Sequence, residues 1–170
     1  MFSSDRDYMR EALTLAAKAR PISPPNPSVG CVIVRDGSIL GEGFTQKVGS
    51  DHAEIQAIKD AAANGHDVKG ATVYVTLEPC SHYGRTPPCA LMLIKEQVAR
   101  VVVACLDPNP LVAGRGVEML RQAGITVDVG LLQKEAWQMN AGFMTRMTEN
   151  RPWVRAKVAM SLDGFTALTN

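Results

Sequence analysis

The sequence predicts an α/β fold in three layers, α/β/α, around a mixed five-stranded sheet that opens with an N-terminal hairpin. Two runs, VGCVIVRDG and SILGEGF, meet at Asp36-Gly37, a pair suited to a tight hairpin turn. Three more strand-like runs, TVYVTL, RVVVACL and ITVDV, alternate with stretches of helical spacing. A hairpin followed by strand–helix alternation implies a mixed sheet covered on both faces.

Each element follows from local chemistry. Tyr8, Met9, Ala12, Leu13, Leu15 and Ala16 form a helical stripe from about Asp5 to Arg20, where Pro21 stops it. ISPPNPSVG is a rigid, proline-rich connection into the hairpin. After the loop TQKVGSD, the alanine-rich HAEIQAIKDAAA is helical and ends at Asn64-Gly65. TVYVTL delivers the chain into Glu78-Pro79-Cys80, and CALMLIKEQ starts a helix just after Pro87-Pro88. RVVVACLDPNP is a buried strand emptying into a loop, GRGVEMLRQAG a helix, and ITVDVGLL the last strand. QKEAWQMNAGFMTRMTEN reads as one C-terminal helix. Beyond residues 149–152, WVRAKVAMSLDGFTALTN reads as a further strand and turn, which either completes this sheet or opens a second domain.

Composition bounds the function. The 170 residues are 46% hydrophobic and 21% charged, ordinary for a chain that buries a core. A net charge of +1 offers no electrostatic footprint for nucleic acid or an anionic membrane. The N-terminus carries charges where a signal peptide needs an apolar run, and no apolar stretch approaches ~20 residues. The expectation is a soluble cytoplasmic protein whose four cysteines are thiols or metal ligands. Cys31 and Cys105 lie in apolar runs and read as small core residues, whereas Cys80 and Cys89 sit among Pro, Ser, His and Gly.

Chemistry concentrates at His52-Ala53-Glu54, Cys80 and Cys89, each at a helix or strand edge. Thiolate sulfur and imidazole nitrogen together suit Zn²⁺, and three protein ligands leave a fourth position for water. Glu54, two residues past His52, can reach the same pocket at a helix N-terminus and move a proton there. H-x-E followed by P-C-x-x-C is the zinc-deaminase pattern, with the glutamate outside the metal shell. Here eight residues, not two, separate the cysteines. The alternative is a closed structural Cys₂His₂ site with His82 as fourth ligand.

HAE and TLEPCSHYGRTPPC, with NPSVGCVIV and DPNPLVAGRG, resemble the deaminase domain of the bifunctional riboflavin-biosynthesis deaminase/reductase family. The likeness runs from about Asp5 to the C-terminus, and the long cysteine spacer is similar to that family's own. The resemblance implies a cytidine deaminase-like fold and hydrolytic deamination of 2,5-diamino-6-ribosylamino-4(3H)-pyrimidinone 5′-phosphate. Carried over, it makes His52, Cys80 and Cys89 the zinc ligands and Glu54 the proton shuttle. Asn26, His82, Arg85, Asp107 and Asn109 would contact substrate, with His82 and Arg85 at its phosphate end. AKVAMSLDGFTA resembles the opening strand and turn of the family's reductase domain. The implied division is therefore a deaminase over residues 1–148, then a linker and first reductase strand over 149–170. Ala159 would border NADPH in a full-length reductase. The expected partner is the small phosphorylated aminopyrimidine, with no nucleic acid and no membrane; a homodimer or higher homo-oligomer is compatible with apolar helix faces.

Overall fold

The computed structural model describes residues 4–83, 87–110 and 112–166. Helix α1 (Asp5–Ala19) begins where the Ser4 hydroxyl accepts the Asp7 N–H at 3.3 Å. It buries Tyr8, Met9, Ala12, Leu15, Ala16 and Ala19. Strands β1 (Gly30–Arg35) and β2 (Ser38–Phe44) form the hairpin, and Asp36 and Gly37 both take positive φ, as a type I′ turn requires. Then come α2 (Ala53–Ala63), β3 (Thr72–Val75), α3 (Cys89–Lys95), β4 (Arg100–Val103), α4 (Arg115–Gln122) and β5 (Thr126–Val129).

The sheet order is β2-β1-β3-β4-β5. β1 runs antiparallel to both β2 and β3, while β3, β4 and β5 are parallel. Helix α1 covers one face together with α5 (Gln133–Met139), and α2, α3 and α4 pack side by side on the other. Burial on both faces explains the unbroken valine runs of the central strands: Val32, Val73, Val75, Val101 and Val103 are all buried. Cys31 and Cys105 join that core. The observed fold is thus the mixed five-stranded α/β/α sandwich with an N-terminal hairpin that the pattern predicts. Among the described residues no helix is long and apolar enough to cross a membrane.

Helix α2 lies unusually close to the hairpin. A Cβ added at Gly43 would sit 2.2 Å from the Ala53 carbonyl oxygen, so only glycine lets the start of α2 rest on β2. Because β1 is antiparallel to β3, the turn before β1, the N-terminus of α2 and the C-terminal ends of β3 and β4 share one edge of the sheet.

Two expectations change. The C-terminal helix is broken at Asn140 into α5 and α6 (Ala141–Glu149). Asn140 is buried and spans the Ser28 backbone, with Oδ1 accepting its N–H at 2.7 Å and Nδ2 donating to its carbonyl at 2.9 Å. Those two bonds satisfy a buried backbone pair, which a continuous helix would leave without these partners. Past α6, residues 152–160 form no strand; they are exposed and join no ladder, because no neighbouring strand stands beside them. The turn is present: the Ser161 N–H donates to the Phe165 carbonyl at 2.8 Å, with Gly164 at positive φ.

Candidate metal centre and cavity

His52 is the N-cap of α2, so its extended backbone turns the imidazole off the helix end toward the sheet edge. Cys80 follows β3, and Cys89 is the first residue of α3, preceded by Pro88 at the N-cap. Free N–H groups of α3 point back at Cys80: the Cys89 N–H reaches its sulfur at 3.3 Å and the Ala90 N–H its carbonyl at 3.2 Å. The three donor atoms lie within 4.8 Å of one another. His52 Nδ1 is 3.6 Å from Cys80 Sγ and 3.4 Å from Cys89 Sγ. Zinc bonds of about 2.3 Å to sulfur and about 2.0 Å to nitrogen at a tetrahedral angle place such atoms about 3.5 Å apart. The donor set and the two nitrogen–sulfur distances fit zinc.

The three donors share protons unequally: the bond to Cys80, and then burial, push the Cys89 thiol well up. Hydrogen bonds from Cys89 and His52 keep the Cys80 thiol far below its ordinary range, against the effect of burial. The bond to Cys80 pushes His52 up to about 9, although its burial opposes this. Burial, and then the Cys80 charge, raise Glu54 to about 7; His52 pulls the other way. A fully buried carboxyl poised near neutrality beside a metal-type cluster has the properties of a proton carrier.

Above this cluster lies a cavity of about 320 Å³. Its walls bring together Asn26 from the turn before β1, His52, Glu54 and Cys80 from the cluster, and Asp107 and Asn109 from the loop after β4. His82 lines the same cavity, and the metal-type group among the described residues is His52, Cys80 and Cys89 without it. Cys89 is buried beneath, 1% exposed. Arg85 lies outside the described residues. Ala159 is in the exposed segment after α6 and is not part of the cavity.

Sequence reasoning missed the α6 wall and Glu78. Phe143, Arg146 and Met147 of α6 close one side, with the Arg146 guanidinium 5.9 Å from the Phe143 ring centre. The usable signal was Asn140, a poor helix former amid a helical pattern. Glu78, also lining the cavity, is buried at 4% exposure. A carboxylate at the end of an apolar strand was its signal, since such a group needs partners.

Comparison with known proteins agrees with this geometry. The family model for the cytidine and deoxycytidylate deaminase zinc-binding region matches residues 2–105. The riboflavin biosynthesis protein RibD of Haemophilus influenzae is 54% identical over 168 residues, covering 99% of this chain and 44% of the relative. A crystal form of Acinetobacter baumannii RibD superposes with a TM-score of 0.89 at 53% identity, over 97% of this chain and 46% of that one. A Thermotoga maritima protein described as a diaminohydroxyphosphoribosylaminopyrimidine deaminase/5-amino-6-(5-phosphoribosylamino)uracil reductase gives a TM-score of 0.89 at 44% identity, over 93% of this chain and 45% of that one. The chain therefore spans less than half the length of these relatives.

Proposed function

The chain belongs to the cytidine and deoxycytidylate deaminase zinc-binding family, and from that premise we propose the reaction it catalyses. It deaminates 2,5-diamino-6-ribosylamino-4(3H)-pyrimidinone 5′-phosphate hydrolytically, as a step of riboflavin biosynthesis. One observation carries this reading: three zinc-type donors about one coordination sphere apart, with buried Glu54 beside them at the base of a ligand-sized cavity. The riboflavin-pathway names of the relatives support the choice of substrate.

His52, Cys80 and Cys89 would hold the zinc, which supplies Lewis acidity that makes water a nucleophile near neutral pH. Glu54 takes a proton from the attacking water and returns it to the departing amine. Addition of the water oxygen at C2 breaks the ring C=N π bond, and collapse of that adduct breaks the exocyclic C–N bond and releases ammonia. Asn26, Asp107 and Asn109, which line the cavity, orient the pyrimidine, while His82 and Arg85 receive the phosphate end.

The same proposal assigns residues 1–148 to the deaminase and 149–170 to a linker and first reductase strand, supported by α6 ending at Glu149. NADPH belongs to the reductase of a longer protein, with Ala159 at its border. The location is cytoplasmic, consistent with the unpaired thiols of Cys31 and Cys105. Self-association into a homodimer or higher homo-oligomer completes the reading.

Ammonia release from the ribosylaminopyrimidine phosphate, measured beside cytidine, guanine and adenosine, tests the assignment. Turnover should be confined to the first; preference for any of the other three overturns it.

A further inference from the structure

The proposed reaction gives no role to Glu78, yet its carboxylate accepts four backbone N–H groups beside the cavity. Oε2 accepts the backbone N–H groups of Asp107 at 3.2 Å and Gly114 at 2.9 Å. Oε1 accepts those of Gly116 at 2.8 Å and Val117 at 3.2 Å. All four donors come from the segment that leaves β4, passes the cavity as Asp107–Asn109 and starts α4. The last three are helix-start N–H groups, which lack partners within the helix. Asp107 extends the chain of contacts, its own carboxylate accepting the Asn109 N–H at 2.8 Å.

A second contact fixes the same segment. A Cβ at Gly116 would lie 2.0 Å from the carbonyl oxygen of Pro79, so the start of α4 is pressed against the residue between Glu78 and Cys80. Three consecutive residues thus meet different parts of the site. Glu78 grips the loop, Pro79 abuts α4, and Cys80 offers its sulfur to the metal cluster.

We propose that Glu78 is a positioning residue that sets the distance between the metal cluster and the Asp107–Asn109 wall. The reactive carbon of a substrate held by that wall is thereby kept in register with Glu54. The inference rests on reading the cavity as the substrate site. Only a full-length carboxylate suits the task. Its two oxygens accept four N–H groups, whereas a glutamine turns an NH₂ toward two of them. An aspartate stops about 1.5 Å short, one bond length.

The test uses zinc-loaded E78Q and E78D beside the wild type. Metal per chain, amide hydrogen exchange at Asp107, Gly114, Gly116 and Val117, and kcat and KM on the ribosylaminopyrimidine phosphate are measured. E78Q should keep its zinc, exchange those amides at least about tenfold faster, and lose about 10²-fold in kcat/KM with both constants affected. E78D, one bond short, should also fall below the wild type in kcat/KM. Unchanged kcat and KM in a folded, zinc-loaded E78Q overturn the proposal. Should neither variant fold, exchange in the wild type decides. The four amides opening together as one unit support the clamp, and independent opening sinks it. A wild type that deaminates none of the substrates would remove the functional reading, while zinc content and amide exchange would still report on the clamp.

Discussion

Glu54 shows how much a single position depends on its surroundings. At the surface it would be an ordinary carboxylate; buried beside the Cys80 thiolate, it is raised to about 7 and can both accept and donate a proton near neutrality. Replacing it by glutamine keeps the shape and removes the titration. E54Q should retain one zinc per chain by atomic absorption while kcat for ammonia release falls by about 10²–10⁴-fold. A zinc module without turnover would have no rate to lose. Asp5 illustrates the opposite shift. Bidentate Arg100, at 3.1 and 2.7 Å, and the Tyr74 hydroxyl, at 2.6 Å, hold its carboxyl below the usual range, and burial opposes them only in part. A depressed folded pKa contributes stability that is present above the unfolded value of about 3.9 and lost as pH falls through the folded one. The Asp5→Asn chain should therefore be less stable than wild type at pH 7, by about 1 kcal/mol or less for so exposed a pair. The gap should close in acid, as measured by urea titration across pH 2–7.

At the level of elements, the hairpin, the three parallel strands and the helix starts bearing His52 and Cys89 were legible, because each is written in local periodicity or local capping. VIV and VVV runs, Asp36-Gly37 and Pro87-Pro88 act within a few residues of themselves. What stayed hidden depends on pairs far apart in the chain. Asn140 meets Ser28 across 112 positions, and nothing around MNAGF signals that partner. The helix break it causes also aims Phe143, Arg146 and Met147 at the cavity, so one unseen contact concealed a whole wall. Glu78 was hidden likewise, since its partners lie on another element. Asn140→Ala would leave the buried Ser28 N–H and carbonyl without these bonds. The expected loss is about 2 kcal/mol or more by denaturant unfolding, together with a raised KM as the Asn26 turn and α6 separate. Wild-type stability and KM in that variant would show the link to be dispensable.

For the whole molecule, the sheet order explains why one edge carries everything. β1, antiparallel to both β2 and β3, starts where the parallel strands β3 and β4 finish, so loops from distant parts of the chain surround one cavity. Two metal donors come from helix starts and Cys80 from the segment after β3, whereas the cavity walls come from loops and α6. The segment after α6 stands apart from this plan and touches the body through Trp153, whose ring meets Trp137 edge-on at 6.3 Å. A chain ending at Asn150 should keep its zinc and lose no more than about 4 °C in Tm by calorimetry, the scale of one aromatic pair. The 170-residue chain itself should not oxidise NADPH, by absorbance at the nicotinamide band, and turnover would contradict the domain division.

That segment also governs how the protein behaves in a tube. Val154, Val158, Met160, Leu162 and Phe165 all face water, strung along a dozen residues among Arg155, Lys157 and Asp163. A string of oily side chains at one end gives the 170-residue chain an adhesive patch. Light scattering should rise with protein concentration and fall with mild detergent, and a hydrophobic dye should brighten on the intact chain but not on one cut at Asn150.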